Sequence, residues 1–209
     1  MKRVITPEIL DSLPADDPGA KRSRRDLQRI NAFMGNMSWL LKNLPEQARS
    51  ISELGAGDGR FADRLSREHP QADVWAYDLQ PKSARVAERI QWVKGDVLKQ
   101  PKPGQGGVLI ANLILHHFND DELRDLGAFV RAFDVLIINE PRRAHLPLWL
   151  AKLATPFLNA ITRHDMRVSI EAGFEQGEMP ELLGLSQQEY KIHESSTWRG
   201  SQRMLAYRR

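Results

Sequence analysis

Apolar and polar positions change rhythm twice along the chain. Residues 1–20 hold three prolines and three aspartates without a sustained period and read as a loosely ordered arm. From 24 to 44, Leu27, Ile30, Phe33, Met34, Met37 and Leu41 recur at helical spacing, and Pro45 stops the pattern. From residue 50 short apolar runs alternate with helical segments. SISEL (50–54), ADVWAYDL (72–79), IQWVKGDV (90–97), GGVLIANLIL (106–115) and DVLIINE (134–140) read as strands. RFADRLSREH (60–69), QPKSARVAER (80–89) and the acid-led DDELRDLGAFVRAF (120–133) read as the helices between them. The run at 106–115 is apolar almost throughout, as expected of a central parallel strand covered on both faces.

Residues 142–163 then predict one long helix, with Leu146, Leu150, Leu153, Phe157 and Ile161 as its stripe and a kink at Pro156. The stretch that follows, to about 185, is mixed. YKIHESST (190–197) and RMLAYRR (203–209) flank WRGSQ as a hairpin. Strand and helix in strict alternation imply right-handed crossovers and a doubly wound α/β sheet with helices on both faces. The expected organisation is an arm and lid helix over 1–45, then one domain over 46–209 carrying a helical insertion at about 142–185.

Composition adds exclusions. The 209 residues suit one domain, and 41% hydrophobic with 27% charged residues is ordinary for a globular chain. Without cysteine there is no thiol catalysis, disulfide or Cys-ligated zinc. The first residues hold no apolar leader, and the longest apolar stretch, 146–161, is broken by Lys152 and Pro156, so a cytoplasmic protein without a membrane span is expected. The formal charge is +3, with basic residues gathered at 21–29 and 203–209. These read either as solvated faces or as an RNA contact.

The candidate chemistry sits after the first strand. GAGDGR places Gly55, Gly57 and Gly59 at every second position, before a helix whose first amides are free. The spacing is not G-x-G-x-x-G, and no Gly-Lys-Ser/Thr end follows, so neither a dinucleotide fingerprint nor a P-loop is present. Glu53, two residues before the first glycine, would repel a pyrophosphate but suits a cationic, amine-bearing ligand such as S-adenosylmethionine. Asp78 ends the second strand and can accept from ribose hydroxyls. Asp96 ends the third and can accept from the adenine amino group, with Val97 packing on the ring. Asn112 ends the fourth. Each alone is also a plausible cap or turn residue; their register at successive strand ends is what points to one ligand.

ELGAGDGR, YDL, GDV and NLILHHF resemble the consecutive motifs of class I S-adenosylmethionine-dependent methyltransferases, over about residues 48–141. The resemblance implies a seven-stranded Rossmann-like sheet, mostly parallel, with an antiparallel last strand. It implies S-adenosyl-L-methionine as cofactor, held by Glu53, Gly55, Ala56, Gly57, Asp78, Leu79, Asp96 and Val97, with Asn112 beside them. The chain is further similar to small bacterial methyltransferases found beside polyketide or fatty-acid-like biosynthesis genes, through Asp26–Asn31, Leu115–Phe118, Arg163–Asp165, Ser169 and Phe174.

Methyl transfer to a hydroxyl needs alignment and a nearby base. His116 and His117 follow the fourth strand and are candidate bases, His117 first; either residue also fits a purely packing role. His164 with Asp165 is a second candidate pair, and His145 and Glu140 are weaker ones. No nucleophile elbow and no convincing metal spacing is seen. Asn112 is not followed by the Pro-Pro-aromatic pattern of base-amino methylation. The apolar segments 24–44 and 146–161 suggest lids over a small apolar or aromatic acceptor, free or carrier-bound. Methyl transfer to oxygen of such a molecule is therefore expected, with RNA methylation or a non-catalytic partner role as the alternatives.

Overall fold

The computed structural model describes residues 1–14, 16–101 and 106–209, so position 15 of the arm lies outside the described residues. Seven strands, β1 (Ser50–Leu54), β2 (Asp73–Asp78), β3 (Gln91–Lys94), β4 (Val108–Asn112), β5 (Val135–Pro141), β6 (Tyr190–Ser196) and β7 (Ser201–Arg208), form one sheet in the order β3-β2-β1-β4-β5-β7-β6. The first five pair in parallel, and β7 alone runs against both its neighbours. The strand order reverses between β1 and β4, where an open sheet leaves a crevice at its carboxyl ends.

Eight helices surround the sheet among the described residues: α1 (Ile9–Ser12), α2 (Pro18–Met34), α3 (Asn36–Asn43), α4 (Arg60–Glu68), α5 (Asp120–Val130), α6 (His145–Ala154), α7 (Ala160–Ala172) and α8 (Glu178–Leu182). β4 is buried on both faces, as its unbroken apolar run requires. Leu109 and Ala111 face a core closed by Leu123 and Leu126 of α5 and Met179 of α8. Ile110, on the other face, joins Leu40 of α3 and Phe61 and Leu65 of α4.

Three expected helices differ from those observed. The segment 24–44 starts earlier, at Pro18, because Asp17 accepts from Ala20 N at 2.7 Å and proline suits a helix's first turn. It is also cut in two by Gly35, whose φ of 68° ends α2. Residues 80–89 form no helix but successive turns, closed by Val86 N to Ser83 O at 3.0 Å and Ile90 N to Ala87 O at 3.1 Å. The stretch is too short to repay helix nucleation, and Lys82 instead bonds the carbonyls of Glu88 and Ile90. The long helix at 142–163 is two helices rather than one kinked rod. Pro156 sits in a 3₁₀ turn (Thr155–Phe157), and Asn159 caps α7 by accepting from Ile161 and Thr162. The apolar run at 106–115 is strand only to Asn112; Leu113, at φ 56°, turns the chain out of the sheet.

Candidate functional site

At the carboxyl edge of β1 and β2 the glycine loop is held by backbone bonds. Gly55 N and Ala56 N both donate to Tyr77 O, at 2.9 and 3.1 Å. Asp78 then joins the loop to its own strand end: Oδ2 accepts from Gly57 N at 2.7 Å and Oδ1 from Gln80 N at 2.8 Å. A carboxylate has about four acceptor sites, so both oxygens keep capacity for a ligand. Gly95 N donates to Asp78 O at 2.8 Å, which brings Asp96 to the same edge. There Asp96 caps a 3₁₀ turn by accepting from Leu98 N at 3.0 Å, and Val97 is buried in the core cluster. Leu79 is 67% exposed beside Asp78, an apolar surface open at the edge. Asn112 Oδ1 accepts from Asn139 Nδ2 at 2.9 Å, and Asn139 Oδ1 from Arg203 Nε at 3.2 Å.

Two observations test whether these residues fit a cationic nucleoside. Glu53 is buried, and its Oε2 has no hydrogen-bond partner. Burial pushes its carboxyl well above the usual range, offset in part by an amide bond from Ala62, and Asp78 and Asp58 push it further up. Such a group gains from a donor or positive charge placed beside it. Gly57, at φ 56°, has open space where a Cβ would stand. The donor set and the bare backbone thus fit the expected cofactor.

Gly59 is constrained differently. Its φ is 74°, and an added Cβ would lie 2.4 Å from Val86 Cγ2 and 3.1 Å from the Trp92 ring. Gly59→Ala is expected to cost about 2 kcal/mol, lowering the melting temperature by roughly 4–8 °C in calorimetry.

Beyond β4, the turn Leu115–His117 carries both histidines. The buried Glu140, from the end of β5, accepts from Ile114 N, Leu115 N and His116 N at 2.9, 2.8 and 3.3 Å. It also binds His116 Nδ1 at 2.8 Å, and Glu8 Oε1 stands 3.5 Å from His116 Nε2. Burial alone would lower the His116 pKa, but the bonds to Glu140 and Glu8 prevail and raise it to about 9. His116 is therefore an imidazolium at neutral pH, clamped on both sides. His117 stacks beside it with ring centroids 4.3 Å apart, and its Nδ1 lies 3.6 Å from Asp11 Oδ2. Burial and then the His116 charge lower its pKa, so His117 is neutral with a free lone pair. Glu8, His116 and His117 place ligand atoms within 4.8 Å of one another, close enough for a metal ion. The protonated form of His116 has no lone pair to give one.

His164 lies on α7, half-exposed, with Nδ1 3.0 Å from Asp165 Oδ1. Asp165 is buried and accepts from Ile9 N and Leu10 N at 2.8 and 3.0 Å, so it caps α1 and fastens the arm. Ser169, one turn on, donates to Glu8. Arg3 completes the strap, binding Ala172 O at 2.9 Å, Phe118 O at 2.8 Å and Asp120 at 2.7 Å. The arm expected to be loose is thus a laid-down strap that brings Glu8 and Asp11 to the histidines. Neither acid is singled out by the sequence, since nothing in PEILD marks it as the neighbour of a turn more than a hundred residues away. His145 opens α6 and does not join this cluster.

A cavity of about 760 Å³ lies elsewhere. It opens near the amino ends of β1, β4 and β5 and is lined by Ser50, Tyr77, Gly107 and Asp134 among others.

Residues 51–136 match the family model described as a methyltransferase domain. Uncharacterized methyltransferases of Mycobacterium tuberculosis and Mycobacterium bovis are 31% identical over 94 residues, 42% of this chain and 48% of each relative. The chain's match thus spans about half the length of these curated relatives. The plantazolicin methyltransferase BpumL, solved with a triazolic desmethyl analog and SAH, superposes with a TM-score of 0.69 at 11% identity, over 92% of both chains. The pyocyanin biosynthetic protein PhzM gives 0.61 at 20% identity over 93% of this chain and 60% of that one. Human N-acetylserotonin methyltransferase, solved with SAM, gives 0.60 at 17% identity over 95% and 61%. At these identities the solved structures speak for the fold. Residues 51–136 thus match a methyltransferase domain, and the sheet order, the lone antiparallel strand and the glycine loop with acids at successive strand ends support a class I S-adenosylmethionine-dependent methyltransferase.

Proposed function

We propose that this protein transfers a methyl group from S-adenosylmethionine to an oxygen of a small, apolar or aromatic molecule. The observation that carries the reading is the buried, unpartnered oxygen of Glu53 beside the bare backbone of Gly57. Glu53 faces positive charge, Gly55 to Gly57 give close approach, Asp78 takes the ribose, Asp96 and Leu79 the base, and Asn112 stands toward the acceptor. The cofactor supplies an activated methyl carbon. The chain's own task is to align the acceptor and take its proton. His117, neutral and half-exposed beside the imidazolium of His116, is the base in this reading. His116 is fixed by Glu140 and Glu8 and orients the turn. The helices α2–α3 and α6–α7 serve as the lid over an apolar acceptor. Supporting the substrate class, the fold neighbours include a pyocyanin biosynthetic protein and a plantazolicin methyltransferase.

Titration calorimetry with S-adenosylmethionine tests the reading. Asp78→Ala removes a charged acceptor whose bonds contribute about 1.5–3 kcal/mol, so affinity is expected to fall roughly 10- to 150-fold. Equal affinity for the two proteins would remove the assignment. Transfer of a labelled methyl group to an organic-soluble product in extract of the source cells then identifies the acceptor.

A further inference from the structure

The outward sides of the lid helices α2 and α6 are left unused by this chemistry. Helix α6 turns Leu146, Trp149 and Leu153 outward, and Phe157 follows them in the adjoining turn at 84% exposed. At the hairpin tip Trp198 stacks edge-on against Phe33, the exposed end of α2, with ring centroids 5.8 Å apart. The two patches belong to one face. α2 and α6 both pack on α7. The space beside Gly200 is bounded by Pro147 of α6 and Met34 of α2, and Asn159, the cap of α7, binds Asp26 in the middle of α2 at 2.9 Å. Both helices thus rest on α7, and the end of α2 meets the start of α6 at the hairpin tip.

The charge on this face has one sign. Residues 142–163 contain no Asp or Glu, and α2 contains only Asp26, which is buried. Lys21, Arg22, Arg25 and Arg29 of α2 are exposed, as is Lys152 in the middle of the apolar row. Arg199 lies over the rings of both Phe33 and Trp198. Aromatic and aliphatic side chains ringed by cations, with no exposed carboxylate on either helix, match an anionic membrane surface: the apolar row enters the headgroup boundary and the cations meet the phosphates. An RNA would leave the apolar row without a partner, and a second copy of the same face would bring like charges together.

From this the geometry points to a membrane-docking face, formed by α6 with the basic side of α2, that seats the protein on an anionic lipid bilayer. No helix among the described residues is long and apolar enough to cross one, so the contact is interfacial. The inference is independent of the methyl-transfer reading.

Co-sedimentation of the whole chain with phosphatidylglycerol–phosphatidylcholine vesicles, against pure phosphatidylcholine, tests it. The anionic vesicles are expected to retain the protein at least tenfold better, and 0.5 M salt to release most of it, because surface charge is screened within a few ångströms there. The double variant Trp149→Ser/Phe157→Ser and the triple variant Arg22→Glu/Arg25→Glu/Arg29→Glu should each lose at least tenfold in partitioning. All changed positions are exposed, and unchanged melting curves certify the fold. No retention by either vesicle, equal retention of the variants, RNA binding without vesicle binding, or a concentration-dependent dimer that Trp149→Ser/Phe157→Ser dissolves would each overturn the proposal.

Discussion

Replacing His117 by alanine is expected to lower turnover of methyl transfer by about 10²–10⁴-fold, the range that a positioned general base contributes, with cofactor affinity and melting temperature nearly unchanged. His117 is the one imidazole of the turn with a free lone pair at neutral pH. Burial and the adjacent charge of His116 hold its pKa below the ordinary histidine value, so the wild-type rate should rise with pH on a limb centred below about 6.5. That limb should vanish in His117→Ala. Steady-state rates from pH 5 to 8, with labelled cofactor and the acceptor found in extract, decide it. A variant that keeps both rate and limb returns His117 to a packing role. The same measurement separates His164, whose ring is held by the residue that caps α1; its loss should act through the arm, raising KM more than it lowers kcat.

Glu140→Gln should cost about 3–5 kcal/mol of stability, the range for breaking a buried charged pair. The wild-type carboxyl receives three amides and the His116 ring, all donors. Glutamine turns one of its two ends into a donor, which then faces N–H groups that it cannot accept from. The effect has a pH signature. His116 has its pKa raised from 6.5 to about 9 in the folded protein, so the stability gained by protonating it is fully present below about pH 6.5. It is lost as pH rises through 9. Wild-type melting temperature should therefore fall between pH 6.5 and 9. The variant, which no longer favours the imidazolium, should show a flatter profile over that window. Parallel slopes for the two proteins would mean that Glu140 is not what holds the proton.

How far the site could be read in advance follows from the range of each interaction. Glu53 and Asp78 close β1 and β2, Asp96 follows β3 by two residues, the glycine loop leaves β1, and parallel strands deliver their ends to one edge, so local pattern sufficed to gather them. The turns at 80–89 misled because the alternation of strands and helices calls for a helix between β2 and β3; in the fold Val86 is instead buried in one cluster with residues of α4 and β2. The stripe over 142–163 misled in its continuity: Leu146, Leu153 and Phe157 keep a helical period, but Pro156 falls in a 3₁₀ turn and Asn159 caps a second helix. Glu8, Asp11 and the capping role of Asp165 depend on contacts between segments more than a hundred positions apart, for which no periodicity exists.

The amino-acid order alone determined the sheet, its parallel sense and the acids at its edge, because each is set by alternation, glycine placement and strand-to-helix succession over a few residues, while the reversed final strand followed from the family resemblance. Only the tertiary structure decided that the arm is strapped down and that the pKa of one histidine is raised while that of its neighbour is lowered. Those properties come from burial and from charges brought close by folding, and neither is a property of any local stretch of chain.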